Sequence, residues 1–209
     1  MKIQECLLNR NNQTVMKEST LGLLIAASGK EHLWESRKEE IINTVVIHFI
    51  SAVEINTQAP YDLNTILGIF CTYGVSSHFL ISRRGKVFRL VPEQHKAWHC
   101  GGSIMPSPDD RRGVNDFSIG IELMATADSG FTRLQYKSLL SLCLELESHY
   151  RREFIYVGHD QIAGERAVEL GLRRDVKPDP GVRFDWSYFN ARMEQLRQQK
   201  QENAESPIA

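Results

Sequence analysis

The chain has 209 residues, 24% charged and 42% hydrophobic, with 25 Lys and Arg against 26 Asp and Glu. That length supports one sizeable core and leaves little room for a second domain. A formal charge of −1 gives no general attraction to nucleic acid or anionic lipid, and no apolar run approaches the roughly 18 residues of a bilayer span. Nucleic-acid-binding and membrane-spanning classes are set aside on these grounds.

Cys6, Cys71, Cys100 and Cys143 lie far apart, with no C-x-x-C pair among them. They read as small hydrophobic residues in a reducing compartment rather than as a disulfide framework. Leu21 to Ala27 (LGLLIAA), after Lys17 and before Ser28-Gly29, faintly resembles a signal sequence. The apolar run is short, however, and Glu18 occupies what would be its basic region. The expectation is a cytoplasmic protein, with the periplasm or cell envelope as the alternative.

In chain order, residues 1–40 are polar and mixed and read as an N-terminal extension packed on the core. Thr44 to Ile50 (TVVIHFI) is β-branched and nearly all apolar, the pattern of a strand buried on both faces. Leu63, Ile66, Leu67 and Phe70 recur at helical spacing, which predicts a helix over about 62–72 ending near Gly74. Ser77–Ser82 and Lys86–Val91 flank Arg84-Gly85 and predict a hairpin. After a Gly/Pro/Asp-rich stretch from Gly101 to Gly113, Phe117–Met124 (FSIGIELM) reads as a second central strand. Tyr136, Leu139, Leu140, Cys143, Leu146 and Tyr150 mark an amphipathic helix. Ile155–Val157 is a short strand ending at Gly158-His159. Trp186, Phe189, Met193 and Leu196 mark a last helix capped by Asp185. The Gln/Glu/Lys-rich residues beyond Arg197 are expected to fray. Interleaved strands and helices imply a single α/β domain, residues 41–197, with a mixed central sheet flanked by helices and a polar tail over 198–209.

Within that frame a few polar residues stand where polarity is costly. His48 sits inside an apolar strand, Glu122 sits in the middle of another, and His159 follows a Gly at a strand end. A buried carboxylate needs a partner, and Arg83, Arg89 or Arg174 could serve. His48 could equally be a satisfied core histidine. Lys177-Pro178-Asp179-Pro180-Gly181 could be no more than a rigid loop, its prolines fixing φ. Taken together, two histidines and an aspartate offer three N/O ligands, the open arrangement of a catalytic zinc. Glu122 and Lys177 then offer a base and an oxyanion partner, which points to metal-assisted hydrolysis.

The same blocks carry a resemblance. Val46-Ile47-His48, Ser77–Ile81 with Arg84–Val87, Leu90–Glu93, Ala97-Trp98-His99-Cys100-Gly101, Asn115–Leu123, Val157–Asp160 and Lys177–Gly181 stand in the order found in the zinc N-acetylmuramoyl-L-alanine amidases of the type 2 family. The chain resembles the AmpD-like branch most, over roughly residues 44–187, and the resemblance implies the fold shared with peptidoglycan recognition proteins. It implies zinc on His48, His159 and Asp179, acid/base catalysis by Glu122 and oxyanion stabilisation by Lys177. Asp179 and Ser77 stand where other branches carry a cysteine ligand and a tyrosine. Trp98 and His99 are implied to line the sugar side of the groove, and Arg112, with Arg111, to meet a peptide carboxylate. The implied activity cleaves the amide between the lactyl group of N-acetylmuramic acid and L-alanine, in peptidoglycan or anhydro-muropeptides, by a monomer acting in cell-wall recycling or remodelling. Two alternatives share this pattern: a muropeptide-binding module without activity, and a zinc peptidase acting on the stem peptide. His32, His95 and His149 read as surface histidines.

Overall fold

In the computed structural model, which describes residues 1–8, 33–38 and 41–205, eight strands and five α-helices are assigned. The strands are β1 (Ile3–Glu5), β2 (Trp34–Ser36), β3 (Thr44–Ile50), β4 (Phe79–Ile81), β5 (Val87–Arg89), β6 (His95–Ala97), β7 (Ser118–Met124) and β8 (Ile155–Gly158). The helices are α1 (Leu63–Tyr73), α2 (Arg133–Tyr150), α3 (His159–Ile162), α4 (Glu165–Glu169) and α5 (Trp186–Glu205). Six strands form one mixed sheet in the order β1-β5-β4-β7-β3-β8, while β2 and β6 pair separately. The expected hairpin is the antiparallel pair β4–β5; every other pair in the large sheet is parallel. This is the mixed α/β architecture that the interleaved pattern implies.

Side chains alternate across a strand, and that alternation divides the molecule. On one face Val45, Ile47, Phe79, Ile81, Ile119, Ile121 and Leu123 pack against α2 and α5 through Leu139, Leu140, Cys143, Phe189 and Met193. On the other face two smaller clusters form. One joins Leu80, Phe88 and Met124 to Ile66, Leu67 and Phe70 of α1 and to Leu8 and Leu33. The second joins Val46 and Val157 to Cys100, Met105, Val114, Phe117 and Ile162. His48 and Glu122 emerge on this second face, directly opposite one another in the β3–β7 register.

The helix ends follow local chemistry. Asp62 caps α1 by accepting from the Thr65 N–H, and Gly74 closes it. Thr132 and Gln135 form a reciprocal capping box at the start of α2. Asp185 accepts from the Tyr188 N–H at 2.8 Å at the head of α5. The frayed tail expected beyond Arg197 is instead helix up to Glu205. Gln, Lys, Glu and Ala in that stretch are all good helix formers, and Arg197 anchors the turn before it to the buried Glu147 of α2.

Only part of the N-terminal extension is described. Leu8 and Leu33 are buried, and β1 adds an edge strand beside β5; Leu21–Ala27 and His32 lie outside the described residues. Arg37 follows β2 and threads its guanidinium among backbone carbonyls. Its Nε donates to Glu93 at 3.0 Å, Nη1 to Asn115 and Asp116 at 3.0 Å each, and Nη2 to Ser118 at 2.6 Å. Arg37→Met strands several carbonyls at once and is expected to lower the unfolding free energy by about 3 kcal/mol. Urea unfolding reads the change directly.

His78, fully buried beside Arg37, makes stability depend on pH. Its Nδ1 accepts from the Gly120 N–H at 2.9 Å, and its Nε2 lies 3.1 Å from the His95 carbonyl. Burial, then the Arg37 charge, pushes this imidazole down to about 3. Between the ordinary value of roughly 6.5 and that depressed value, the unfolded chain binds a proton that the folded chain refuses. Stability therefore falls as pH falls, by up to about 1.4 kcal/mol per pH unit from this residue. Denaturant unfolding between pH 7 and 4 is expected to show a shallower slope for His78→Gln than for the wild type.

Candidate metal centre and active site

Three side chains converge at the carboxyl ends of the central strands. His48 comes from β3, His159 from the first residue after β8, and Asp179 from the segment after α4. Asp179 Oδ2 lies 3.0 Å from His48 Nδ1 and 3.1 Å from His159 Nδ1. One donor atom from each residue lies within 4.8 Å of the others. Gly158 makes the approach possible, because a Cβ there would sit 2.2 Å from Asp160 Oδ1 and 2.8 Å from Pro180 Cδ. The Asp179 carbonyl also accepts from the Asp160 N–H at 2.7 Å, and the Lys177 N–H donates to Ala163 at 3.0 Å, so the 177–181 loop is tied to α3.

The remaining ring nitrogens test whether a cation fits. His159 Nε2 lies 3.2 Å from the Cys100 carbonyl, an acceptor, so the ring proton belongs on Nε2. With no second proton on the ring, the Nδ1 lone pair faces a carboxylate oxygen, an arrangement that a cation between them resolves. Burial, then the neighbouring His159, pushes His48 down to about 4, leaving it neutral and able to ligate. Burial works to raise Asp179, but the two imidazoles prevail and hold it well below the usual carboxylate range. Two imidazoles and a carboxylate suit a borderline ion such as Zn²⁺ with a position left open.

Glu122 stands beside this set with Oε2 buried and without a hydrogen-bond partner among the described residues. Two of the three arginines offered as its structural partner are engaged elsewhere: Arg83 with the Met124 and Gly130 carbonyls and Gln135, and Arg89 with Glu5 and Glu93. Arg174 is exposed. Burial, then the Asp179 charge, raises Glu122 well above the usual carboxylate range, while Lys177 pulls it back. A cation on the three donors acts in the same direction as Lys177. Lys177 itself is exposed at the cleft rim.

The cleft holds about 330 Å³ and is lined by His48, Glu122, His159, Lys177 and Asp179 together with Trp98, His99, Asn115 and Arg173. Trp98 is half-buried in its wall. His99 also lines it but reaches deeper than a groove residue would, with Nδ1 3.1 Å from His48 Nε2. Gly120 accommodates that ring, since a Cβ there would lie 2.6 Å from His99 Cγ. Arg112 is exposed, its backbone bridged to Ile104, and is not among the cleft-lining residues. Arg111 pairs with Asp109 and covers Phe117. Asn115 and Arg173 were not foreseen: Asn115 Oδ1 accepts from the His99 and Cys100 N–H groups, and Arg173 donates to the Cys100 and Gly102 carbonyls. Their types and spacing carry no signal until the loops fold together.

Compared with known proteins, residues 37–181 match the family described as N-acetylmuramoyl-L-alanine amidase. The chain belongs to that family. The matched span opens at Arg37 and closes at Gly181, so it encloses the whole donor set. Among relatives of this amidase-family chain, the 1,6-anhydro-N-acetylmuramyl-L-alanine amidase AmpD of Enterobacter cloacae is 39% identical over 118 residues, 56% of each chain. AmpD of Escherichia coli K12 is 36% identical over 115 residues, 55% of this chain and 56% of that one. The chain thus spans about half the length of these relatives. A crystal structure of an AmpD derivative aligns with a TM-score of 0.58 at 32% identity, covering 76% of this chain and 88% of that one. AmiD of Escherichia coli, in complex with anhydro-N-acetylmuramic acid-L-Ala-D-γ-Glu-L-Lys, aligns with a TM-score of 0.51 at 25% identity, covering 77% of this chain and 61% of that one.

Proposed function

We propose that the chain is a zinc-dependent amidase that cleaves the bond between the lactyl group of N-acetylmuramic acid and L-alanine in soluble anhydro-muropeptides, as a step of cell-wall recycling. One observation carries the reading: a His-His-Asp donor set lies beside a buried glutamate whose Oε2 has no hydrogen-bond partner among the described residues, all lining one cleft. The names of the AmpD relatives support the substrate class. Four unpaired thiols, three of them buried, fit a reducing, cytoplasmic setting, and no helix among the described residues is long and apolar enough to cross a membrane.

His48, His159 and Asp179 would hold the zinc, which when bound would supply Lewis-acid polarisation and a more acidic water. Glu122 takes a proton from the attacking water on Oε2 and returns it to the departing L-alanine nitrogen. A carboxyl raised by burial is a stronger proton acceptor than a solvated one, which suits both transfers. Lys177 Nζ offers positive charge to the carbonyl oxygen as it becomes an oxyanion. Trp98 presents an aromatic wall for a sugar face.

The test offers the full chain an anhydro-muropeptide and intact polymeric peptidoglycan, with products read by mass spectrometry. Release of the whole stem peptide from the anhydro sugar is expected, with slower or no release from polymer. Cleavage inside the stem, or binding without cleavage by zinc-loaded protein, overturns the proposal.

A further inference from the structure

We propose that His48, His99 and Cys100 form a second cation site, an N₂S set for a thiophilic ion, which competes with the His48–His159–Asp179 set for the one imidazole they share. His99 Nδ1 lies 3.1 Å from His48 Nε2 and 3.1 Å from Cys100 Sγ, and the three donor atoms all fall within 4.8 Å of one another. Tetrahedral bonds of about 2.05 Å to nitrogen and 2.3 Å to sulfur put donors about 3.4–3.6 Å apart, so small shifts complete the set. With its proton on Nε2, toward Ser118 Oγ at 3.4 Å, His99 turns its Nδ1 lone pair to the inner side. His48 Nε2 and the Cys100 thiol both converge on that single lone pair, the crowding a cation relieves. Two imidazoles and a thiolate prefer soft ions such as Cd²⁺ or Cu⁺. The cleft reaches both His99 and Cys100, which gives the ion an entry path.

A neutral imidazole has one bare nitrogen. With His48 Nδ1 bare, the histidine serves the Asp179 side and its Nε2–H points at His99. With the proton on Nδ1, it donates to Asp179 Oδ2 across the same 3.0 Å, and Nε2 is bare toward His99 and Cys100. Binding of the soft ion therefore moves one proton between the two nitrogens of His48, releases the thiol proton to solvent, and strips a ligand from the first set. A thiophilic cation is an inhibitor that acts by displacement. The competition, but not the N₂S site itself, rests on the assignment of His48 to the zinc set.

The experiment titrates the full chain with Cd²⁺ and follows the ultraviolet cadmium–thiolate charge-transfer band, with metal content measured after dialysis. The band is expected to saturate at one ion per chain and to be lost in Cys100→Ser. His99→Gln, expected to lose the stoichiometric band as well, is a second route should Cys100→Ser fold poorly. Zinc-loaded protein is expected to release one zinc for each cadmium taken up. Asp179→Ala is expected to keep the cadmium band while losing zinc, which separates the two sites. An undiminished band in both Cys100→Ser and His99→Gln overturns the N₂S site. Full zinc retention as the band saturates overturns the competition.

Discussion

Glu122→Gln is expected to leave zinc bound and the melting temperature near that of the wild type, while turnover of an anhydro-muropeptide falls by about two to four orders of magnitude, the usual share of general acid–base catalysis. The amide keeps the size of the side chain and cannot accept a proton at neutral pH. Because Glu122 Oε2 has no hydrogen-bond partner among the described residues, the substitution strands none of their polar groups at that atom. It also removes a buried carboxyl whose ionisation burial opposes, so stability is expected to hold or rise slightly. Rate and melting temperature together decide the matter. A variant that melts early yet turns over normally when folded overturns the catalytic role.

Asp179→Ala is expected to lose metal and activity together. Two imidazoles alone hold a catalytic ion poorly, and the two His Nδ1 atoms at 3.0 and 3.1 Å then lose the anion between them. Metal analysis after dialysis is expected to find little zinc, and turnover to fall to background. Asp179→Cys keeps a ligating atom at the same place and is expected to retain the ion, since Zn²⁺ accepts sulfur as readily as oxygen. Full zinc occupancy in Asp179→Ala overturns the ligand assignment.

How much of this was legible in the sequence depended on the range of the interaction that fixed each part. The central strands Thr44–Ile50 and Ser118–Met124 announced themselves through largely β-branched or apolar runs, and α2 through one apolar stripe. The three-residue strands β1, β2 and β6 carry no period long enough to read. Short helix α3 begins at His159 itself, where a strand end was all that the local pattern suggested. His48, Glu122 and His159 were conspicuous because each puts polarity where burial penalises it. Asp179 read as no more than a loop residue on its own, and became a candidate ligand only when taken together with the two histidines. The deep seat of His99 could not be read from its neighbours in the chain, because Gly120, far along the sequence, creates the space. Arg37 was lost in the polar extension for the same reason: its acceptors lie far along the chain, at Glu93 and over residues 115–118.

The site is mounted on two kinds of backbone. His48 and Glu122 are rungs of one continuous parallel ladder. Asp179 and Lys177 hang on a stretch without regular structure, tied down by two main-chain hydrogen bonds. Local opening is cheapest where few such bonds must break. Warming is therefore expected to loosen the loop half while the ladder half keeps its spacing, so that a bound ion would be shed before the sheet gives way. Heat inactivation is then expected to start as a detached loop rather than an unfolded chain. Cooling with zinc present is expected to restore activity up to the temperature at which the sheet itself melts.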